Sequence, residues 1–167
     1  MKNDELKEVY YKLYQQLFLY ALSLTKNKAD AEDLVSNAFV KAILSFDKGD
    51  IKPWLYKVLK NEFYNYRKRK KRIIEDYEFE RVSDNKDLLK DIIKDERRQW
   101  LYAQIYALKE PEREVMLLSL QGDLNDESIA EIIGISVQNV RVIRFRVKNK
   151  LKEKYEEEAV WKILINY

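Results

Sequence analysis

Between Leu124 and Leu151 the chain reads LNDESIAEIIGISVQNVRVIRFRVKNKL. Few backbone arrangements accommodate that order. Ile129, Ala130, Ile132 and Ile133 recur at helical spacing behind Asn125 and Asp126, whose side chains suit the free N–H groups of a helix start. Gly134 follows where a helix end favours a residue comfortable at positive φ. Ser136 then fits the cap of a second helix carrying Val140, Ile143, Val147 and Leu151 on one side. Two short helices separated by so tight a turn make a helix-turn-helix, in which the second helix enters the major groove of DNA.

With the Val140/Ile143/Val147/Leu151 stripe held inward, a period of about 100° per residue turns Gln138, Arg141, Val142, Phe145, Arg146 and Asn149 outward. Gln, Asn and Arg can read base edges, and apolar groups can touch a thymine methyl. Arg141, Arg144, Arg146, Lys148, Lys150, Lys152 and Lys154 make this helix strongly basic, as a phosphate-facing element requires. Taken alone, the same stretch also fits a solvated surface helix of an all-α core.

The rest of the composition narrows the chemistry. Among 167 residues there are three glycines, two prolines, no cysteine and no histidine. Scarce turn formers and apolar residues at helical spacing predict an all-α protein with short connections. Without cysteine there is neither a disulfide framework nor a thiolate metal site. Without histidine, imidazole bases, His-containing triads and most zinc sites are excluded, which weighs against an enzyme. Neither a signal peptide nor the roughly 20 apolar residues of a membrane span is apparent, so a cytoplasmic location is expected. Net charge is only +3, so where the basic residues cluster says more than their total.

In chain order, residues 4–25 predict an amphipathic helix with Leu6, Val9, Leu13, Leu17, Tyr20, Ala21 and Leu24 on one stripe, ending near Asn27. A second helix begins at Ala29–Asp30, its acidic Asp30, Glu32 and Asp33 complementing the positive helix start. Ala31, Leu34, Val35, Ala38, Phe39 and Ala42 form its core stripe, with Ile43 and Phe46 completing it. A turn at Asp47–Asp50 leads to Pro53 in the first turn of a third helix, PWLYKVLKNEFYNYRKRKKR. Trp54, Leu55, Val58, Leu59, Phe63 and Tyr66 are its expected inner side, and Lys57, Lys60, Asn61, Tyr64 and Lys68 its outer side. Six consecutive basic residues, Arg67–Arg72, close it. Cations interleaved with aromatics suit a surface that holds phosphate while stacking on unpaired bases, although a solvated basic helix end over buried aromatics has the same pattern.

DAEDLVSNAFVKA and the helix after it resemble conserved region 2 of the sigma-70 family, in its small extracytoplasmic-function (ECF, group 4) form. Asp30, Ala31, Glu32, Asp33, Leu34, Val35, Phe39, Trp54, Leu55, Asn61 and the basic run carry the likeness. LKEPEREVMLLSLQGDLNDESIAEIIGISVQNV resembles region 4 through Leu108, Pro111, Arg113, Glu114, Val115, Ile129, Ala130, Gly134, Ile135 and Ser136. The two blocks cover most of the chain in the family's order. Departures are Ser36–Asn37 after Leu34–Val35, Asn65 where Asp is common, and Ile143–Arg144 where Arg–Leu is frequent.

The resemblance implies two small helical domains: region 2 over 1–72, a linker over 73–94 passing into the first helix of region 4, region 4 over 95–158, and an apolar tail over 159–167. No segment remains for region 3 or for the acidic N-terminal region of housekeeping sigmas. The implied role is a non-enzymatic, promoter-specificity subunit of bacterial RNA polymerase that needs no cofactor or metal and takes no small-molecule substrate. Its partners would be core polymerase (the β′ clamp coiled coil and the β flap), promoter DNA and, as a further candidate, an anti-sigma factor. Implied polymerase contacts are Asp30, Glu32, Asp33 and Asn37. The −10 element would be opened and held by Lys48, Asp50, Lys57, Lys60, Asn61, Tyr64, Arg67 and Lys68. The −35 element would meet Ser136, Gln138, Asn139, Arg141, Val142, Phe145 and Arg146. Two rivals remain at this level: a helix-turn-helix regulator that binds duplex DNA without polymerase, and a sigma-like decoy that binds polymerase without melting DNA.

Overall fold

The computed structural model of the chain describes residues 2–73, 85–121 and 123–165, with side chains for 2–70, 88–121 and 123–159. Among the described residues there are eight helices and no strand. They fall into two compact units, residues 1–94 and 95–167.

The first unit is built on α1 (Asn3–Thr25), α2 (Lys28–Ser45) and α3 (Ile51–Ile73), with α4 (Asn85–Ile92) added at the end. The expected α1 stripe is buried at Leu6, Leu13, Leu17, Tyr20, Ala21 and Leu24, but so are Phe18, Leu19 and Leu22 beside it. A helix apolar on all sides belongs inside a core, and the second half of α1 is that central element. Tyr20 meets Tyr56 of α3 edge-on at 5.3 Å between ring centroids, both fully buried. Leu17, Leu55 and Leu59 are also completely enclosed, so truncating any of them to Ala costs about 2–5 kcal/mol.

The junction from α1 to α2 differs from the expected one. Lys26, at φ 54°, ends α1 in the left-handed conformation, its N–H donating to the Leu22 carbonyl. Asn27 begins α2 rather than ending α1: its side chain accepts from the Asp30 N–H at 2.9 Å. Asparagine serves both as a helix stop and as an N-cap, and here the cap wins because Lys26 already takes the positive φ. At the other end of α2, Phe46 packs on Trp54 with centroids 5.3 Å apart. Ile43 is not core: it is 62% exposed. Helix α3 starts before Pro53, with the Asp50 side chain accepting from the Lys52 N–H at 3.1 Å. Proline is still within the first turn, where its missing N–H costs nothing. Lys41 of α2 and Glu62 of α3 form an ion pair across the packed helices.

Part of the segment read as linker is helical and belongs to the first unit. In α4 Leu89 is buried, as is Ile93 just beyond, and the Gln15 amide donates to the Ile92 carbonyl at 3.3 Å. Leu88, Leu89, Ile92 and Ile93 form the apolar stripe that secures this packing, rather than opening the next unit. Residues 74–84 lie outside the described residues.

The second unit comprises α5 (Glu96–Tyr106), α6 (Glu112–Leu120), α7 (Asp126–Ile133) and α8 (Val137–Ile165). Asp95 caps α5, accepting from the N–H groups of Arg97 and Arg98. Val115, Leu117 and Leu118 of α6, Ile105 of α5, Ile129 of α7 and Val140 of α8 are fully enclosed and form the core. Helix α8 runs on to Ile165. Beyond Leu151, Tyr155 packs edge-on against Trp100 of α5 at 5.2 Å, and the Trp100 indole donates to Glu158. The side chains of the apolar tail, 160–167, lie outside the described residues.

Candidate nucleic-acid interface

In the second unit the local sequence builds the expected turn. Asn125 caps α7 by accepting from the Ser128 N–H at 2.8 Å. Gly134 takes φ 83°, a conformation a Cβ would strain. Ser136 caps α8, its hydroxyl oxygen accepting from the Asn139 N–H at 3.1 Å. The inward stripe is in place: Val140, Val147 and Leu151 are buried and Ile143 half-buried. Gln138, Asn139, Arg141, Val142, Phe145, Arg146 and Asn149 are all exposed. Arg141, Val142, Phe145, Arg146 and Asn149 line one open depression. Phe145 is 71% exposed, which costs hydration unless something apolar covers it.

The Ile143–Arg144 departure has a structural explanation. Ile143 turns toward the core, while Arg144 reaches across α6 and α7. Its Nε donates to Ser119 Oγ at 3.0 Å and its Nη2 to Asp126 Oδ1. The other carboxylate oxygen of Asp126 accepts from Arg141 Nε at 3.0 Å. The two guanidinium groups, Arg144 foremost, hold the Asp126 carboxyl below the usual carboxylate range.

In the first unit α3 presents Lys57, Asn61, Tyr64, Arg67 and Lys68 to solvent, with Tyr64 45% exposed. Lys60 does not join them. It is buried, with its ammonium 5.7 Å from the Tyr64 ring centroid, because a long alkyl stem can lie along apolar surface on the inner flank of a helix. The guanidinium of Arg67 lies 5.8 Å from the Phe63 ring, itself 5.9 Å from Tyr64. Basic groups and aromatics therefore share one strip. Lys48 and Asp50 are exposed in the preceding turn, where Gly49 takes φ 103°. The Asp50 carboxylate is engaged at the start of α3. The side chains of Lys71 and Arg72 lie outside the described residues.

Of the acidic group on α2, Glu32 and Asp33 are exposed, as is Asn37. Asp30 is engaged locally: its Oδ2 accepts from the Tyr66 hydroxyl at 2.8 Å and lies 3.6 Å from the Lys70 ammonium. Burial, above all, raises the Tyr66 pKa. Exposed apolar residues lie on the same outer face. Asp33, Asn37, Val40 and Leu44 follow one another at spacings of four, three and four, with Val40 51% and Leu44 77% exposed. The core pattern hid this ridge by seeming to extend to Ile43, but residues 40, 43 and 44 on a helix of this kind stand apart from the Ala31/Val35/Ala38/Ala42 stripe.

Both units have counterparts among known proteins. Residues 9–73 match the family described as Sigma-70 region 2, and residues 98–151 match Sigma-70, region 4. The ECF RNA polymerase sigma factor SigM of Bacillus subtilis is 30% identical over 161 residues, covering 89% of this chain and 93% of SigM. The RNA polymerase sigma factor YlaC of the same organism is 27% identical over 173 residues, covering 94% and 98%. The fold is shared with the sigma factor RpoE of Bartonella quintana, solved with the anti-sigma factor NepR, at a TM-score of 0.65, 23% identity and coverage of 91% and 97%. It is shared also with CnrH, solved with the cytosolic domain of CnrY, at a TM-score of 0.61, 20% identity and coverage of 93% and 90%. With a region 2 helix set, a region 4 helix-turn-helix and relatives matched along nearly their whole length, the chain belongs to the sigma-70 family of RNA polymerase sigma factors, in its ECF branch.

Proposed function

We propose that this sigma factor reads a promoter with two separate surfaces, α8 on the −35 element and α3 with its preceding turn on the −10 element, and that it helps open the latter. The observation that carries the reading is the sorting of α8. Val140, Val147 and Leu151 are buried, while Arg141, Val142, Phe145, Arg146 and Asn149 form a single outward face. A helix so divided offers amide, guanidinium and apolar groups to a major groove at once. Gln138 and Asn139 extend that face, and Ser136 fixes its first turn.

On α3, Lys57, Arg67 and Lys68 would hold phosphate while Asn61 and Tyr64 meet an unstacked base of the non-template strand. Unstacking costs a few kcal/mol per base, and stacking on an exposed aromatic returns about 1–3 kcal/mol. Lys48 and Asp50 lie in the turn that would flank the captured base. Lys60 is a support for Tyr64 in this reading rather than a phosphate contact. Core polymerase would be met by the α2 ridge, where Glu32, Asp33 and Asn37 border apolar Val40 and Leu44; the fitting surface is the β′ clamp coiled coil, with the β flap taken by region 4. Asp30 serves this ridge indirectly, by tying α2 to α3. Two DNA surfaces on one tether gain through effective concentration, so the spacing between elements would be selected together with their sequence. No catalytic role falls to the chain, and its place is the cytoplasm with the polymerase. Among the described residues no helix is long and apolar enough to cross a membrane. RpoE was solved with the anti-sigma factor NepR and CnrH with the cytosolic domain of CnrY, which makes an anti-sigma factor a further proposed partner here.

Run-off transcription tests the reading. Core polymerase with this protein, given fragmented DNA of the source organism, is expected to start discrete transcripts that share upstream −35 and −10 sequences. Binding to core without transcripts would indicate a decoy. Tight binding to duplex DNA with no effect of core would indicate a stand-alone regulator.

A further inference from the structure

The contacts of Arg141 suggest more than a basic side chain near DNA. Its Nε donates to Asp126 Oδ2 at 3.0 Å, and its terminal amino groups make no hydrogen bond among the described residues. The side chain is 58% exposed, whereas Asp126 and Arg144 are 22% and 24% exposed. Asp126 is itself held. Its second oxygen takes Arg144 Nη2, and the Nε on the same edge of Arg144 donates to Ser119 of α6. Three helices thus meet at one carboxylate, and that carboxylate holds one outward guanidinium by its Nε.

Guanidinium planarity makes this consequential. Arginine reads guanine by donating two parallel hydrogen bonds to O6 and N7. A free arginine on a helix surface must first give up its rotamer freedom to do so. One gripped at Nε keeps its terminal nitrogens available and aimed. We propose that Asp126 is a positioning residue that presents Arg141 to a guanine of the −35 element, and so sets base specificity without touching DNA. The inference rests on the reading of α8 as the −35 reader. It also gives the Ile143–Arg144 order a purpose: Arg144 is withdrawn from the DNA face to brace the carboxylate.

The test uses the full-length protein with core polymerase on a promoter identified by run-off transcription, with each −35 position substituted in turn. Wild type is expected to lose about tenfold or more in initiation when one particular guanine becomes adenine. D126N is expected to lose most of that discrimination at the same guanine while keeping its preferences at the other positions. Its binding to unrelated duplex DNA should hold or rise, since Arg141 is released toward phosphate and the salt slope grows by about one. R141K keeps the charge and spares the Asp126–Arg144 contact, but cannot make the bidentate pair; it should lose the same guanine preference with the α7–α8 junction intact. If D126N or R141K discriminates at the guanine as wild type does, the positioning role is wrong. If D126N weakens every −35 position equally and melts earlier, Asp126 is only a structural brace. If wild type shows no preference at any −35 position, the reading of α8 fails first, and this inference with it.

Discussion

Each unit sets an aspartate at the start of one helix against polar groups of another, and the two arrangements leave different things free. Asp30 of α2 spends its closest contact, 2.8 Å, on the neutral Tyr66 hydroxyl and stands 3.6 Å from Lys70. Arg67, Lys68 and Arg69 next to it remain exposed. Asp126 of α7 divides its two oxygens between two guanidinium groups and leaves one of them pointing outward. An ammonium is a point charge with no preferred plane, and the exposed cations beside it can follow a phosphate wherever the strand runs. A guanidinium held at Nε has a direction. The α3 arrangement suits a strand whose backbone path changes as it melts; the α8 arrangement suits a rigid duplex whose base edges sit at set positions.

The widest consequence lies in the exposed cations of α3. Replacing Arg67, Lys68 and Arg69 by Gln should weaken binding to every DNA tested, on the order of a hundredfold near 0.1 M salt, and lower the salt slope by about two. Preference among −10 sequences should hardly move. A fluorescence-anisotropy salt titration of the polymerase complex reads both quantities. An unchanged slope would mean these side chains do not meet phosphate, and the contrast between the units would lose its first half.

Arg141→Ala should behave oppositely. The loss is about 1–3 kcal/mol at the −35 element, concentrated on one base pair, with a small change in salt slope. Competition between a consensus site and single-base variants measures it. A uniform loss across all variants would make Arg141 another phosphate contact and bring the two units closer together than their geometry suggests.

How far these arrangements were legible in the sequence depends on the range of the signal. Asn125, Gly134 and Ser136 act on backbone within three or four residues, so their types predicted caps and a left-handed turn that the structure contains. The Val140/Val147/Leu151 stripe was legible because a helix buries one side whatever lies opposite. Contacts that depend on a second helix were not. Nothing near Asp126 in sequence announces Arg141 or Arg144, fifteen and eighteen residues away. Asp30 reads as acidic complement to a helix start and a polymerase contact, and nothing near it announces that its carboxylate also accepts from Tyr66, thirty-six residues on. Lys60 read as outer because charge usually is, yet its stem packs inward while its head meets Tyr64. Ile43 read as core because it is apolar, yet the wheel turns it away. The α4 stripe was visible as apolar but not assignable, since either unit could have claimed it. Tertiary partnership, more than element identity, lies beyond periodicity.

Tyr66→Phe sharpens the Asp30 side of the contrast. Losing one hydrogen bond from a half-buried hydroxyl should destabilise the first unit by about 1 kcal/mol, with DNA affinity at fixed folding unchanged. Urea unfolding followed through Trp54, in a variant with the other two tryptophans changed to Phe, isolates that unit. A loss of DNA binding larger than the loss of stability would mean that Asp30 and Tyr66 aim the basic end of α3 after all.

The smallest expected effect is the most specific to charge. The Asp126 carboxyl is held below its ordinary range by Arg144 and then Arg141. In the acid range the folded chain therefore binds fewer protons at this site than the unfolded chain, and stability from it must fall as pH falls. The contribution is complete above the unfolded value near ~3.9 and drains away as the pH drops through that value toward the lower folded one. Partial exposure keeps it at about 1 kcal/mol or less. With Trp54 changed to Phe, so that emission comes from the second unit, the urea midpoint of D126N should lie below that of its parent by a constant amount from pH 7 to pH 5. That gap should close below about pH 4. A gap that persisted at pH 3 would mean Asp126 acts on the start of α7 as a hydrogen-bonding group whatever its charge. The ionic grip on Arg141 would then not distinguish the second unit from the first.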